Sequence, residues 1–117
     1  MFLFLKYMDC SPKSIVFPEV MTKIQSHAID ACESLRTIIF PNILTTIVLS
    51  AFWCLTNLKE IYIPANVERI DDFPFQYCLK LRKITVDKDN SYYDSRNDCN
   101  AIIEYKTDRL IKGCRNI

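Results

Sequence analysis

Apolar positions along this chain recur with a period far longer than that of a helix or a strand. An ungapped shift of 23 residues lays the sequence on itself. Ile15, Ile38, Ile61 and Ile84 form one column, Phe17, Phe40, Ile63 and Val86 a second, Met21, Leu44 and Val67 a third, and Ile24, Ile47 and Ile70 a fourth. Leu35, Leu58 and Leu81 add another, Ile29, Phe52 and Phe75 an aromatic-leaning one, and Pro18, Pro41 and Pro64 a column of proline. Agreement across all these columns means a stack of repeated units, each of which buries its apolar side only against its neighbours.

Each unit contains L-x-x-I-x-[FIV], as in Leu35-Arg36-Thr37-Ile38-Ile39-Phe40, Leu58-Lys59-Glu60-Ile61-Tyr62-Ile63 and Leu81-Arg82-Lys83-Ile84-Thr85-Val86. The last two apolar positions lie two apart and so share one side of a short strand, while the residue between them faces solvent. Proline directly after the strand has no backbone donor and ends the ladder. In Ala28-Ile29-Asp30-Ala31-Cys32-Glu33-Ser34-Leu35, apolar residues at i, i+4 and i+7 predict a helical turn or short helix. Strand, turn, short helix and return make a leucine-rich-repeat solenoid: a right-handed β/α superhelix with short parallel strands about 4.8 Å apart along a concave side.

Past the third unit the pattern changes. Asn100-Ala101-Ile102-Ile103-Glu104 and Arg109-Leu110-Ile111-Lys112-Gly113 flank Tyr105-Lys106-Thr107-Asp108 and predict a β-hairpin with a four-residue turn. A regular ladder pairing Glu104 with Arg109 sets Ile102 against Ile111 and Cys99 against Cys114, a candidate disulfide if the protein is secreted. The chain thus divides into an N-terminal segment, 1–14, that is a degenerate or partial repeat, then 15–86, three 23-residue repeats plus the strand of a fourth, and 87–117, a hairpin-like unit.

The repeats resemble the BspA-type leucine-rich repeat family, whose units read roughly I-x-I-P-x-x-V-x-x-I-x-x-x-A-F-x-x-C-x-x-L. The best copy runs from Ile61 through Ile63-Pro64-Ala65-Asn66-Val67 and Ile70 to Phe75, Cys78, Leu81 and Ile84. Leu55, with Cys54 beside it, stands for the usual cysteine in the second repeat, and Pro74 for alanine in the third. Residues 93–104 and 110–114 look like terminal units of bacterial members. The resemblance implies a cell-surface or secreted recognition protein of adhesin type, and no catalysis.

Composition narrows the chemistry. Fifteen Lys and Arg against fourteen Asp and Glu give a formal net charge of +1, so no overall field draws the chain to nucleic acid or acidic membranes. A single glycine, Gly113, leaves nothing for a phosphate-cradling loop, and no cofactor is expected. No apolar run reaches the roughly 18 residues of a membrane span. The opening Met1-Phe2-Leu3-Phe4-Leu5 is cut by Lys6 and lacks the basic lead and cleavage site of a signal peptide. Cysteines at 10, 32, 54, 78, 99 and 114 form no C-x-x-C, and His27 is the sole histidine, so neither a zinc site nor a Cys–His catalytic pair is expected. Asp87-x-Asp89-x-Ser91 lacks the glycine and closing glutamate of a calcium loop and reads as turn chemistry.

What remains is the solvent face of the strands: Arg36, Lys59 and Arg82 in one column, Thr37, Glu60 and Lys83 beside it, and Ile39, Tyr62 and Thr85 beyond. Such a patch suits a carboxylate-rich protein segment or a glycan. Against it stands the reading of ordinary solvated residues, with Glu60 offsetting the cations through exposed pairs. Tyr92, Tyr93 and Tyr105 add aromatic surface near the hairpin or pack the last coil. Phe52 and Phe75 read as core, with Trp53 partly exposed. The expected function is a non-enzymatic scaffold that binds protein or glycan through the concave face; the alternative is a structural spacer without a ligand. Because the chain stops at Asn116-Ile117 without a polar terminal unit, uncapped ends and self-association are expected too.

Overall fold

Each 23-residue unit closes into one coil with three extended sides, and equivalent sides of successive coils pair in parallel. The computed structural model describes residues 13–114. Its first coil holds β1 (Ser14–Val16), β2 (Lys23–Ile24) and β3 (Ile29–Asp30), and the second β4 (Thr37–Ile39), β5 (Thr46–Ile47) and β6 (Phe52–Trp53). The third holds β7 (Glu60–Ile63), β8 (Arg69–Ile70) and β9 (Phe75–Gln76), and β10 (Lys83–Val86) opens a fourth. The ladders run β1-β4-β7-β10, β2-β5-β8 and β3-β6-β9. Their register sets Ile15 on Ile38, Ile61 on Ile84, Ile47 on Ile70 and Phe52 on Phe75, so the sequence period is the ladder register itself.

Tight turns make the corners. The N–H groups of Met21, Leu44 and Val67 donate to the carbonyls of Pro18, Pro41 and Pro64, at 3.1, 3.1 and 3.4 Å. Those of Leu35, Leu58 and Leu81 donate to Cys32, Leu55 and Cys78, at 3.3, 3.1 and 3.2 Å. Ala28 and Ala51 donate to Gln25 and Val48, whereas Pro74, in the same column, has no hydrogen to give. Its carbonyl still takes the Phe52 N–H at 3.1 Å.

The expected short helices are absent among the described residues, and a third strand ladder stands in their place. His27, Ser50 and Phe73 open the segment with positive φ, and Ala31, Cys54 and Tyr77 close it likewise. The left-handed corners leave three residues between them, too few for a helical turn. Those residues lie extended, so Ile29 N–H reaches the Ala51 carbonyl and Ala31 N–H the Trp53 carbonyl of the next coil. The apolar spacing read as helical is that of one inward strand residue and one turn.

Inward columns fill the interior. Phe17, Phe40, Phe52 and Phe75 pack ring to ring, Phe52 and Phe75 stacked at 5.2 Å and Phe40 and Phe52 at 5.7 Å. Leu35, Leu58, Leu44, Ile47 and Val67 are fully enclosed around them.

The last coil then leaves the pattern. β11 (Tyr93–Asp94), β12 (Ala101–Glu104) and β13 (Arg109–Gly113) form an antiparallel sheet, with a 3-10 segment, Arg96–Asp98, between β11 and β12. The edge of the stack past β10 is met by side chains, while Asn116 and Ile117, where uncapped ends are expected, lie outside the described residues. Ile84 N–H donates to Asn100 Oδ1 at 3.3 Å, and Ser95 Oγ–H donates to the Ile84 carbonyl at 3.1 Å. Ile70 N–H donates to the Tyr93 hydroxyl at 2.8 Å. Asn90, buried in the column of Met21, Leu44 and Val67, donates to the carbonyls of Pro64 and Val67 and accepts from the N–H groups of Tyr92 and Tyr93.

Candidate functional site

The outward residues of the four-stranded sheet assemble in columns as the repeat requires. Arg36, Thr37, Ile39, Glu60, Tyr62, Arg82 and Lys83 are exposed, and Lys59 and Thr85 are half-buried. Thr37, Ile39, Glu60, Tyr62, Lys83 and Thr85 line one shallow depression of about 260 Å³. Arg36, Lys59 and Arg82 precede the strands and stand outside that lining. Their backbones form a continuous ladder: Lys59 N–H donates to the Arg36 carbonyl at 3.3 Å and Arg82 N–H to the Lys59 carbonyl at 3.0 Å.

That ladder extends one step further, because Arg36 N–H donates to the Lys13 carbonyl at 2.8 Å. Lys13 is a fourth cation of the column, and sequence reasoning missed it by setting residues 1–14 apart as a degenerate repeat. Stepping back 23 from Arg36 would have found it. Glu60, expected to offset the cations through exposed pairs, forms no ion pair with a described residue, and neither do Lys13, Arg36, Lys59, Arg82 or Lys83.

One polar contact does fix the face. The Tyr62 hydroxyl donates to the Asp87 carboxylate, which also takes the Asp89 N–H at 2.8 Å on its other oxygen. The hydrogen bond from Tyr62 holds the Asp87 carboxyl below its ordinary range, and the same bond pushes the Tyr62 phenol up. Asp87 and Asp89 thereby act as a turn, and no group of side chains suited to a metal ion exists among the described residues.

The other candidates separate. Tyr93 is buried and structural, while Tyr92 and Tyr105 are exposed, the latter with the Arg96 guanidinium 6.0 Å from its ring centre. His27 Nδ1 lies 3.0 Å from Asp30 Oδ1, and its ring lies 5.7 Å from that of Trp53. Trp53 in turn meets Tyr77 edge-on at 5.0 Å. His27 and Tyr77 stand at left-handed corners and are exposed, with the half-buried Trp53 of β6 between them, an aromatic strip that amphipathic patterning does not reveal.

The hairpin register corrects the expected cysteine pairing. Glu104 pairs with Arg109 and Ile103 with Leu110 as expected, but a bulge then sets Ile102 opposite Lys112 and Ala101 opposite Gly113. Cys114 N–H therefore meets the Asn100 carbonyl, at 3.1 Å, and Cys99 has no place across from Cys114. One extra residue in one strand shifts every later pair by one. Both thiols are free, as are Cys54 and Cys78; Cys10 lies outside the described residues. Burial pushes the Cys78 thiol up to about 11 and raises that of Cys114.

A family model described as a BspA type leucine rich repeat region matches residues 6–105 in six copies. The fold is similar to the crystal structure of a leucine rich cell surface protein from Faecalibacterium prausnitzii A2-165, with a TM-score of 0.72 and 28% identity. The match covers 86% of this chain and 26% of that one, so the chain spans about a quarter of its neighbour's length. No curated protein matches the sequence.

Proposed function

This chain belongs to the BspA-type leucine-rich repeat family, and from that premise we propose that it is a recognition scaffold which binds protein or glycan ligands through the outer face of its four-stranded sheet. It is a repeat scaffold of non-enzymatic type. The Faecalibacterium neighbour is a cell surface protein, and we carry that location, at the surface or secreted, over to this chain as part of the proposal.

The observation that carries the reading is the contrast between the two sides of the same strands. Inward residues barely change from coil to coil, as with Ile38, Ile61 and Ile84. Outward ones on the strands themselves change at every step, from Thr37 to Glu60 to Lys83 and from Ile39 to Tyr62 to Thr85, beside a cation column that keeps its charge. A spacer needs the first property only. A binding surface needs a rigid scaffold whose display positions vary, with aromatic and Arg anchors among them.

The test is an array of extracellular proteins and glycans, probed with the wild-type chain and with the triple variant Arg36→Ala, Tyr62→Ala, Lys83→Ala. Ligands bound by the wild type and lost by an equally stable triple variant support the reading. A blank array supports the spacer instead.

A further inference from the structure

We infer that the ligand of this face is an extended acidic segment of a partner protein, its carboxylates along Lys13, Arg36, Lys59 and Arg82 and its apolar side chains on Val16, Ile39 and Tyr62. This rests on the recognition reading above and narrows it to one ligand chemistry.

The charges argue first. The chain is almost neutral, at +1, and several of its carboxylates are held by neighbours in the fold. Asp71 is held by Arg69, Asp94 and Asp108 by Arg96, Asp72 by Arg109, and Asp87 by Tyr62. The four cations of the column have no such partner among the described residues. The parallel ladder sets their backbones about 4.8 Å apart in a line, where like charges repel and a line of carboxylates relieves the repulsion.

The second row decides the class of partner. Three residues along each strand from the cations, about 10 Å away, stand Val16, Ile39 and Tyr62, with relative exposures of 66%, 50% and 47%. Ile39 is paired in register with Val16. An acidic polysaccharide or a nucleic-acid backbone would use the cations and leave this row uncovered. A protein segment that alternates acidic and apolar residues covers both, since its side chains project to opposite sides along its length. Glu60, between Lys59 and Tyr62, and the Asp87 carboxylate that takes the Tyr62 hydroxyl are like charges set against such a ligand, so the acidic residues of the segment must lie on the cation side.

The test is fluorescence anisotropy of the chain with a labelled peptide of alternating Asp and Val. The comparators are an alternating Lys and Val peptide, an all-Asp peptide and a heparin oligosaccharide. The Asp-Val probe is expected to bind, and to weaken roughly tenfold between about 50 and 200 mM salt. Arg36→Glu with Lys59→Glu should weaken it at least about tenfold, and Ile39→Ser with Tyr62→Ser about fivefold, with unfolding temperatures little changed because these side chains are solvent-facing. Heparin or all-Asp binding as tightly as the Asp-Val probe overturns the protein partner, and an unaltered affinity in the Arg36→Glu, Lys59→Glu variant overturns the site. If the Asp-Val probe fails while array ligands still bind and are lost in the triple variant, the acidic segment falls and recognition by this face stands. If the array is blank as well, both fall.

Discussion

The three coils and the C-terminal sheet solve the same problem by different means. In the coils, strand backbone groups pair with the next coil's backbone at the 23-residue register, β4 and β7 at Thr37 and Glu60 alone. Past β10 no further coil follows among the described residues, and side chains take over. Asn90 stands where Val67 stood one repeat earlier, and Tyr93 where Ile70 stood; each carries a polar group to the backbone left behind. Ser95 and Asn100 do the same for Ile84. The corners differ as well. In the cap, positive φ falls on Asn97, Asn100 and Asp108, residue types that tolerate it, whereas the coils place Ala31, Ser50, Cys54, Phe73 and Tyr77 there beside the more tolerant His27.

If the coils live by packing and the cap by polar side chains, the largest effect belongs to a coil. Leu58 is wholly enclosed between neighbouring coils, so Leu58→Ala should cost about 2 to 5 kcal/mol of stability, a cavity that stacked neighbours cannot close. Lys59→Ala, one residue away on the solvent side, should cost about 0.5 kcal/mol or less. Denaturant unfolding of the two variants checks this, and equal shifts would contradict the register.

The cap should respond in the opposite sense to apolar substitution. Asn90→Val restores the repeat's own column, yet it leaves the carbonyls of Pro64 and Val67 and the N–H groups of Tyr92 and Tyr93 without their buried partner. A loss of about 1 to 3 kcal/mol is expected in the same unfolding experiment. A neutral or stabilising outcome would mean that this position packs as in any other coil.

The same division explains what the sequence made legible. Column identity over several repeats revealed the solenoid, the inward residues and the register, because each core position is written three or four times. The four-residue turn of the hairpin was visible, since it is local. The third ladder was not. Ala28 to Leu35 fits a helical spacing equally well, and only the left-handed corners at His27 and Ala31, which no residue type there announces, exclude it. The bulge that separates Cys99 from Cys114 is likewise unmarked, as nothing in Leu110-Ile111-Lys112 signals an extra residue. Of the candidate face, the columns were readable but the pairing was not: that Glu60 forms no ion pair with a described residue and that Tyr62 binds Asp87 depend on side-chain geometry across coils.

The contact between Tyr62 and Asp87 joins the two regions across the solvent face and should have the smallest effect. Asp87 follows β10 where Pro18, Pro41 and Pro64 follow the earlier strands, so the repeat ends with a carboxylate in place of the ladder-ending ring. The folded state holds this carboxyl below its ordinary 3.8, with Tyr62 as the first cause. A depressed carboxylate contributes stability above the unfolded value, and the contribution is lost as pH falls through the folded one. Tyr62 itself is raised above 10.0, so its share is present below that pH and disappears as the phenol ionises. Tyr62 is exposed and Asp87 no more than half-buried, and solvent screening keeps the effect small. Thermal unfolding of Tyr62→Phe beside the wild type should therefore show a small gap, steady between about pH 5 and 9, that narrows at more acid and more alkaline pH. A gap of the same size at about pH 2 would show that the hydroxyl stabilises this junction without needing the ionised carboxylate.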